Sequence, residues 1–275
     1  MQFTTTQIQR LRNLGCPLDD DLDFETAEER NAAFKNMERF AIKANRSALR
    51  SMRENCSPVL VNELAQELSA FLRNRGFMEV STPITIPAVF LERMGIGGDH
   101  DLHDQVFWID SKTCLRPMLA PGLYDISRKL IDILGAPLAV FEVGPCFRKE
   151  SRGSRHLECF TMLNFVEWGI PEEEKHDRAR QLVADVMGEM GLEYELVEED
   201  STVYGKTFDV VVEGDELASG AFGPHPLDPA WSITETWLGV GIGLERAVCM
   251  REGIDNIQRV GRSLAYHNGI GLNFK

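Results

Sequence analysis

Two stretches of this chain carry residue types and spacings suited to gripping phosphate beside a flat ring. The first is Arg148-Lys149-Glu150, at the end of a β-rich run. The polar segment Ser151-Arg152-Gly153-Ser154-Arg155 follows, then His156, Leu157 and a second β-rich run opening at Phe160. A guanidinium on a rigid strand presents a two-pronged donor to phosphate and keeps its charge at any working pH. The segment between the runs adds positive charge where a ligand enters, and Phe160 offers a face on which a base can stack. On its own, a basic hairpin loop is commonly just a solvated turn. The second stretch is Gly239-Val240-Gly241-Ile242-Gly243-Leu244-Glu245-Arg246. Alternating glycines clear one face of a strand so that a flat ligand can approach the backbone. An arginine in the first turns of the following helix then joins the helix dipole in favouring phosphate. Alone, this stretch reads equally as a tight packing site. It is not a dinucleotide fingerprint, because no βαβ unit surrounds it, and no Gly-x-x-x-x-Gly-Lys-Ser/Thr loop occurs.

The elements that must position these residues follow from periodicity and breakers. Ile8, Leu11 and Leu14 predict a short amphipathic helix over residues 4–14, ended by Gly15-Cys16-Pro17. The acidic run Asp19 to Asp23 reads as a loop, and a long helix is expected from about Glu25 to Arg53. Pro58 opens another helix, with Leu60, Leu64, Leu68, Phe71 and Leu72 on its apolar face and Gly76 placed to cap it. Beyond Gly76, β-rich segments are expected at 77–80, 106–109, 138–143, 160–165, 208–212 and 217–222. Helices are expected at 124–134, 172–190 and 243–250. Strands interrupted by helices predict an α+β fold with a mostly antiparallel sheet. Residues 1–55 form an N-terminal helical segment in this reading, and 56–275 the α+β domain that carries both stretches.

Bulk properties narrow the setting. The net charge of -14 argues against a nonspecific nucleic-acid coat. It does not exclude a local basic footprint. Arg39, Lys43, Arg46, Arg50 and Arg53 recur at spacings that put them on one helix face, which reads either as a solvated face or as a stripe tracking an RNA backbone. No apolar run reaches the roughly 20 residues needed to span a bilayer. The start Met1-Gln2-Phe3-Thr4 lacks a signal-peptide pattern, so a cytoplasmic protein with no membrane contact is expected. The 6 cysteines are scattered without a Cys-x-x-Cys pair and read as reduced thiols. His100 and His103 lie in a Gly/Asp-rich loop with no partner cluster, so no dedicated metal site is expected there.

In order along the chain, Arg-x-Glu, a loop, His-x-x-x-Phe and then Gly-x-Gly-x-Gly-x-Glu-Arg resemble motifs 2 and 3 of class II aminoacyl-tRNA synthetases. Motif 1 would be the helix Val59 to Arg75 with the strand ending at Pro83, which in that class builds the dimer interface. The class fold is an antiparallel β-sheet flanked by helices. Leu115 to Tyr124, Phe141 to Ser151, Phe160 to Phe165, Val203-Tyr204-Gly205 and Gly223-Pro224 are similar to the pyrrolysyl-tRNA synthetase family. The likeness covers roughly residues 55 to 275. The N-terminal segment is short for the separate tRNA-binding domain of many members, and so resembles the lineage that works without one.

The resemblance implies ATP and Mg²⁺ as cofactors, and pyrrolysine or another N-ε-acyl-lysine and tRNA(Pyl) as partners, in a homodimer. It assigns Arg148 to the α-phosphate and carboxylate side of the reaction and Arg246 to the γ-phosphate of a bent ATP, as the catalytic pair. Phe160 would stack on adenine, with Glu150, His156, Leu157, Met162, Leu217 and Gly241 also about the nucleotide, and Glu216 and Ser219 would hold Mg²⁺. The amino-acid pocket maps to Met118, Ala120, Leu123, Tyr124, Ser127, Asn164, Val166, Tyr204, Ala221, Trp237 and Gly239. A deep apolar cavity with one amide handle suits a long lysine derivative bearing a ring. Asn164 would meet the substrate's side-chain carbonyl, and Tyr204 would close over the ring. Four positions depart from the family pattern or vary within it. Ser127 and Val166 leave cavity depth open, Gly122 stands where asparagine is frequent, and Cys159 stands in motif 2 where an acid is usual. Two alternatives stay open. One is a class II synthetase-like ligase for another amino acid or acceptor, the other a non-catalytic tRNA-binding paralogue. The second is opposed by the presence of Arg148, Arg246, Glu216 and Ser219.

Overall fold

The computed structural model describes residues 1–18, 22–149, 156–201, 203 and 205–274. In chain order the elements are α1 (Thr5–Asn13), α2 (Ala27–Asn55), α3 (Leu60–Asn74), β1 (Met78–Glu79), β2 (Thr85–Pro87), α4 (Ala88–Arg93), α5 (Asp101–Asp104) and β3 (Thr113–Leu115). They continue with α6 (Ala120–Leu134), β4 (Leu138–Phe147), β5 (Cys159–Trp168), α7 (Lys175–Met190), β6 (Glu195–Ser201), β7 (Gly205–Val212), β8 (Asp215–Gly223), β9 (Trp237–Gly243), α8 (Leu244–Glu252), β10 (Tyr266–His267) and β11 (Ile270–Gly271). They fall into two units, one of residues 1–60 with 258–275, the other of residues 61–257.

The first unit is helical with a small hairpin. Thr4 caps α1 with Gln7, and Thr26 caps α2 with Glu29. Each is a capping box that satisfies end N–H groups which the helix itself leaves bare. The two helices are tied by Arg10 Nε to Glu38 at 2.7 Å and by the Asn45 amide donating to the Leu14 carbonyl at 3.0 Å. The returning C-terminal segment joins them, the Asn273 carbonyl accepting from Arg10 at 2.9 Å.

The second unit is built on a seven-stranded sheet of order β1-β4-β5-β9-β8-β7-β6. Only β1 runs parallel to its neighbour, and every other pairing is antiparallel. The α+β fold expected from the segment pattern is the one observed. β4 and β5 are the longest strands, each 10 residues, and the alternation of β5 sorts its side chains between two faces. Thr161, Leu163 and Phe165 are buried on one face, and Phe165 meets Phe77 edge-on. The other face is the site described below.

Three local expectations differ from the structure. Residues 106–109 form no strand beyond a single bridge from Trp108 to Cys114, and the paired strands here are β2 and β3. Val106 is fully buried all the same. A short apolar run marks burial, and burial can be met by a loop. The glutamate-rich β6 was not expected as a strand. It lies at the sheet edge, where charge is tolerated and deters further pairing. Helix α6 begins four residues earlier than the apolar spacing predicts, with Pro121 in its first turn. Gly122 there is a packing requirement more than a weak start, since a Cβ would overlap the Thr82 side chain. Among the described residues no helix is long and apolar enough to cross a membrane.

Candidate active site

The open face of the sheet is defined by register. Asn164 lies opposite Gly241, Val166 opposite Gly239 and Met162 opposite Gly243. On the far side of β9, Ser219 pairs with Gly241 and Ala221 with Gly239. Every second residue of β5, namely Phe160, Met162, Asn164, Val166 and Trp168, therefore borders one cleft with the bare backbone of β9 as its floor. A Cβ on Gly241 would come within 2.8 Å of the Asn164 Oδ1 and 3.1 Å of the Met162 Cε. The glycine is what gives that amide its space. Met118, Ala120, Leu123 and Tyr124 form the wall contributed by the start of α6, and the cleft volume is about 540 Å³.

Cationic groups stand at the cleft border. Arg148 donates from Nε to the Pro117 carbonyl at 2.9 Å, its guanidinium carbon lies 5.4 Å from the Phe160 ring centre, and the residue borders the cleft. Arg246, in the first turn of α8, donates to the Glu216 carbonyl oxygen, with the Glu216 carboxylate 3.9 Å away. Its neighbour Glu245 is only 2% exposed and accepts from the Thr161 N–H at 2.7 Å and hydroxyl at 3.0 Å. The start of β5 and the start of α8 are thus clamped by a buried carboxylate, which sets the position of Phe160 and Met162 relative to Arg246.

A second buried clamp fixes the α6 wall. Arg116, 2% exposed, meets Glu142 at 2.7 Å, the Thr82 hydroxyl at 3.0 Å and the Pro145 carbonyl at 2.8 Å. Thr82 in turn donates to both Glu142 oxygens. Gly144 is required beside it, since a side chain there would overlap the guanidinium. The arrangement pins the residues just before Met118 to β4. At the apolar end of the cleft, Tyr124, Trp168 and Trp237 meet ring against ring at centroid separations of 5.4 to 5.8 Å.

Of the residues expected to bind ligand, Arg148, His156, Leu157, Phe160, Met162, Glu216, Leu217, Ser219, Gly241 and Arg246 all border this cleft. So do Met118, Ala120, Leu123, Tyr124, Asn164, Val166, Ala221, Trp237 and Gly239. Ser127 does not. It is fully buried within α6, and its hydroxyl has no partner among the described residues. Glu150, Tyr204 and the segment 151–155 lie outside the described residues. Cys159 is partly buried and pairs in register with Phe147. The stripe Arg39, Lys43, Arg46, Arg50 and Arg53 is exposed along α2 in the other unit, where the first four border a separate hollow of about 600 Å³. Sequence reasoning missed His100, Asp101, Leu102 and Gln105 on the cleft border, and also Trp168. Trp168 was legible, since the period-2 alternation through Asn164 and Val166 reaches it. His100 and Gln105 cap the four-residue helix α5, and a helix that short has no period that could have marked these residues.

Among the described residues no group of three or more potential metal-binding side chains is gathered. Glu216 and Ser219 together offer a carboxylate and a hydroxyl on the cleft. These are hard oxygens of the kind that share a Mg²⁺ with phosphate and water.

No protein-family model matches the chain. Among curated proteins it is similar to threonine–tRNA ligase of Wolbachia sp. subsp. Drosophila simulans (strain wRi), 24% identical over 206 residues, which is 56% of this chain and 32% of that protein. It is also similar to lysine–tRNA ligase of Thioalkalivibrio sulfidiphilus (strain HL-EbGR7), 32% identical over 136 residues, 47% of this chain and 25% of that protein. The chain thus spans a third or less of the length of these curated relatives. Among solved structures, a pyrrolysyl-tRNA synthetase from Desulfitobacterium hafniense superposes with a TM-score of 0.94 at 43% identity, covering 99% of this chain and 98% of the other. A second structure of a pyrrolysyl-tRNA synthetase from that organism gives 0.91 at 42%, covering 99% and 95%.

Proposed function

Because the chain belongs to the pyrrolysyl-tRNA synthetase family, we propose that it activates pyrrolysine, or a closely related N-ε-acyl-lysine, with ATP and transfers it to tRNA(Pyl). The observation that carries this reading is one cleft in which the glycine floor of β9 runs between the Asn164 amide and Ser219, with Arg148 and Arg246 on its border.

In the first step a carboxylate oxygen of the amino acid attacks the α-phosphorus, the bond to the bridging oxygen breaks, and pyrophosphate leaves. Arg148 meets the charge that grows on the α-phosphate, and Arg246 takes the γ-phosphate. Both cations are held before the reaction begins, so little reorganisation is needed as charge develops. Adenine stacks on Phe160, beside the guanidinium it already faces. Glu216 and Ser219 would hold Mg²⁺, which when bound offsets phosphate charge. In the second step a terminal ribose hydroxyl of the tRNA attacks the acyl carbon, loses its proton, and AMP leaves. Asn164 hydrogen-bonds the side-chain carbonyl of the substrate, and the apolar end of the cleft takes its ring.

We assign residues 56–275 to catalysis and the exposed cations of α2 to the tRNA backbone, and place the reaction in the cytoplasm. We also propose a homodimer through the motif 1 region. The exposure of Met78, Ile84 and Val89, each 42 to 43%, supports this. Purified protein should exchange pyrophosphate into ATP in the presence of pyrrolysine. Exchange confined to a different amino acid, or none across a panel of lysine derivatives, would overturn the assignment.

A further inference from the structure

Asp228 lies outside every motif singled out above, yet it is 2% exposed and its carboxylate gathers hydrogen bonds behind the cleft. The Tyr124 hydroxyl donates to Oδ1 at 3.0 Å. The Trp237 indole N–H donates to Oδ2 at 2.9 Å, and the backbone N–H of His225 donates to the same oxygen at 2.6 Å. Among the described residues no cation pairs with it. A buried carboxylate without a cation is costly unless neutral donors converge on it, and here the donors are the polar tips of two aromatic residues whose rings border the cleft.

We propose that Asp228 is the positioning residue of the amino-acid pocket. It holds the hydroxyl of Tyr124 and the indole N–H of Trp237 on the protein side, so that ring surfaces and not polar edges are offered to the substrate. The packing fits this role. Tyr124 stacks on Trp231 at 5.4 Å with an interplanar angle of 22° and meets Trp237 edge-on at 5.8 Å, and Trp231 itself follows Asp228 by three residues in the same short 3-10 turn. One turn therefore supplies both the acceptor and the ring against which Tyr124 is pressed. If Tyr124 rotated to bring its hydroxyl into the cleft, the carboxylate would lose one of its donors in a site that water barely reaches. The orientation is fixed by that cost. The consequence is a shape-selecting apolar end, with Asn164 left as the polar handle for the acyl carbonyl.

This inference rests on reading the cleft as the amino-acid site, and the two can fail separately. Pyrophosphate exchange by the full chain, with pyrophosphate, ATP and pyrrolysine as the probes, gives the KM for each substrate. Asp228→Ala should raise the KM for pyrrolysine roughly ten- to a hundredfold while leaving the KM for ATP within about twofold. Asp228→Asn should recover most of the loss. Its carbonyl can serve Trp237 and His225 while its amide donates to the Tyr124 oxygen. Tyr124→Phe should raise the pyrrolysine KM several-fold by itself and add nothing further in the Asp228→Ala background. Should Asp228→Ala fail to fold, Asp228→Asn compared with Tyr124→Phe decides the matter, a native KM in Tyr124→Phe refuting the role. Equal changes in both KM values, or a loss of active fraction with native KM, would reduce Asp228 to a structural residue. If the native chain exchanges pyrophosphate with no lysine derivative, it is the amino-acid assignment that falls.

Discussion

Gly241 faces the amide of Asn164 across the β5–β9 ladder, and the missing side chain is what keeps that amide in place. A methyl there meets Asn164 Oδ1 at 2.8 Å and Met162 Cε at 3.1 Å, so Asn164 must swing away or the strands must part. At Gly243 the nearest atom is the Arg246 Cβ at 4.0 Å, an ordinary contact. Gly241→Ala should therefore raise the KM for the lysine derivative by about tenfold or more. Gly243→Ala should leave that KM near native and be felt, if anywhere, on the ATP side. Steady-state pyrophosphate exchange with each substrate varied in turn separates the two. The Gly-x-Gly-x-Gly pattern announced a face cleared for a ligand. It did not say that one glycine accommodates a neighbouring side chain, because that depends on which strand pairs with it.

At the scale of the element, α2 carries its cations on a face that the structure leaves open. Its spacing made the helix readable from the sequence; the structure starts it at Ala27, close to the expected Glu25, and adds the Thr26 capping box. The five basic residues are not equivalent. Arg46 lies over the Phe274 ring at 5.4 Å, so its replacement also disturbs packing. Lys43 and Arg50 are exposed, and replacing both by glutamate is the cleaner experiment. Lys43→Glu with Arg50→Glu should weaken tRNA charging and lower the slope of log affinity against log salt by about one per lost phosphate contact. Pyrophosphate exchange without tRNA should stay near native. Parallel loss of charging and exchange would make α2 a structural helix only. Edge elements were the least legible. β6 is rich in glutamate and has no apolar alternation to mark it, and it exists because β7 pairs with it along its whole length.

Across the whole molecule, Cys114 and Cys146 behave as packing residues. Burial pushes the Cys146 thiol up to about 12 and the Cys114 thiol up to about 11, from an ordinary value of 9.0. Both are fully buried, whereas Cys56 is exposed. In the folded chain these two thiols stay protonated well above pH 9, while in the unfolded chain they ionise there. The unfolded state then holds fewer protons, so stability falls as pH rises from about 9 towards the folded values, by up to about 1.4 kcal/mol per pH unit for each thiol. Below pH 9 they add no pH dependence. Urea unfolding at pH 8 and pH 10 should show a smaller alkaline loss in Cys146→Ala than in the native chain. An equal loss in both would mean that other groups carry it. Alkylation of the native protein at pH 8 should reach Cys56 and spare Cys114 and Cys146.

The sequence by itself determined most of the framework and, through two motifs taken together, pointed to the chemistry. Strand and helix periods are local properties, and the arginines expected to grip phosphate, a glycine-cleared strand and a basic helix face gain their meaning from residue types and spacing taken together. Nearly every described residue that it proposed for the site borders one cleft in the structure, and in Trp168 it held a further cleft residue that alternation would have reached. Only the tertiary structure decided which residues meet. Asp228 is more than one hundred positions from Tyr124, and Glu245 is 84 from Thr161. Ser127, grouped with the pocket by resemblance, faces the interior of the fold instead of the cleft. Such pairings are set by strand order, register and side-chain packing, which no local period encodes, and the Asp228 carboxylate becomes legible only when the donors that converge on it are seen.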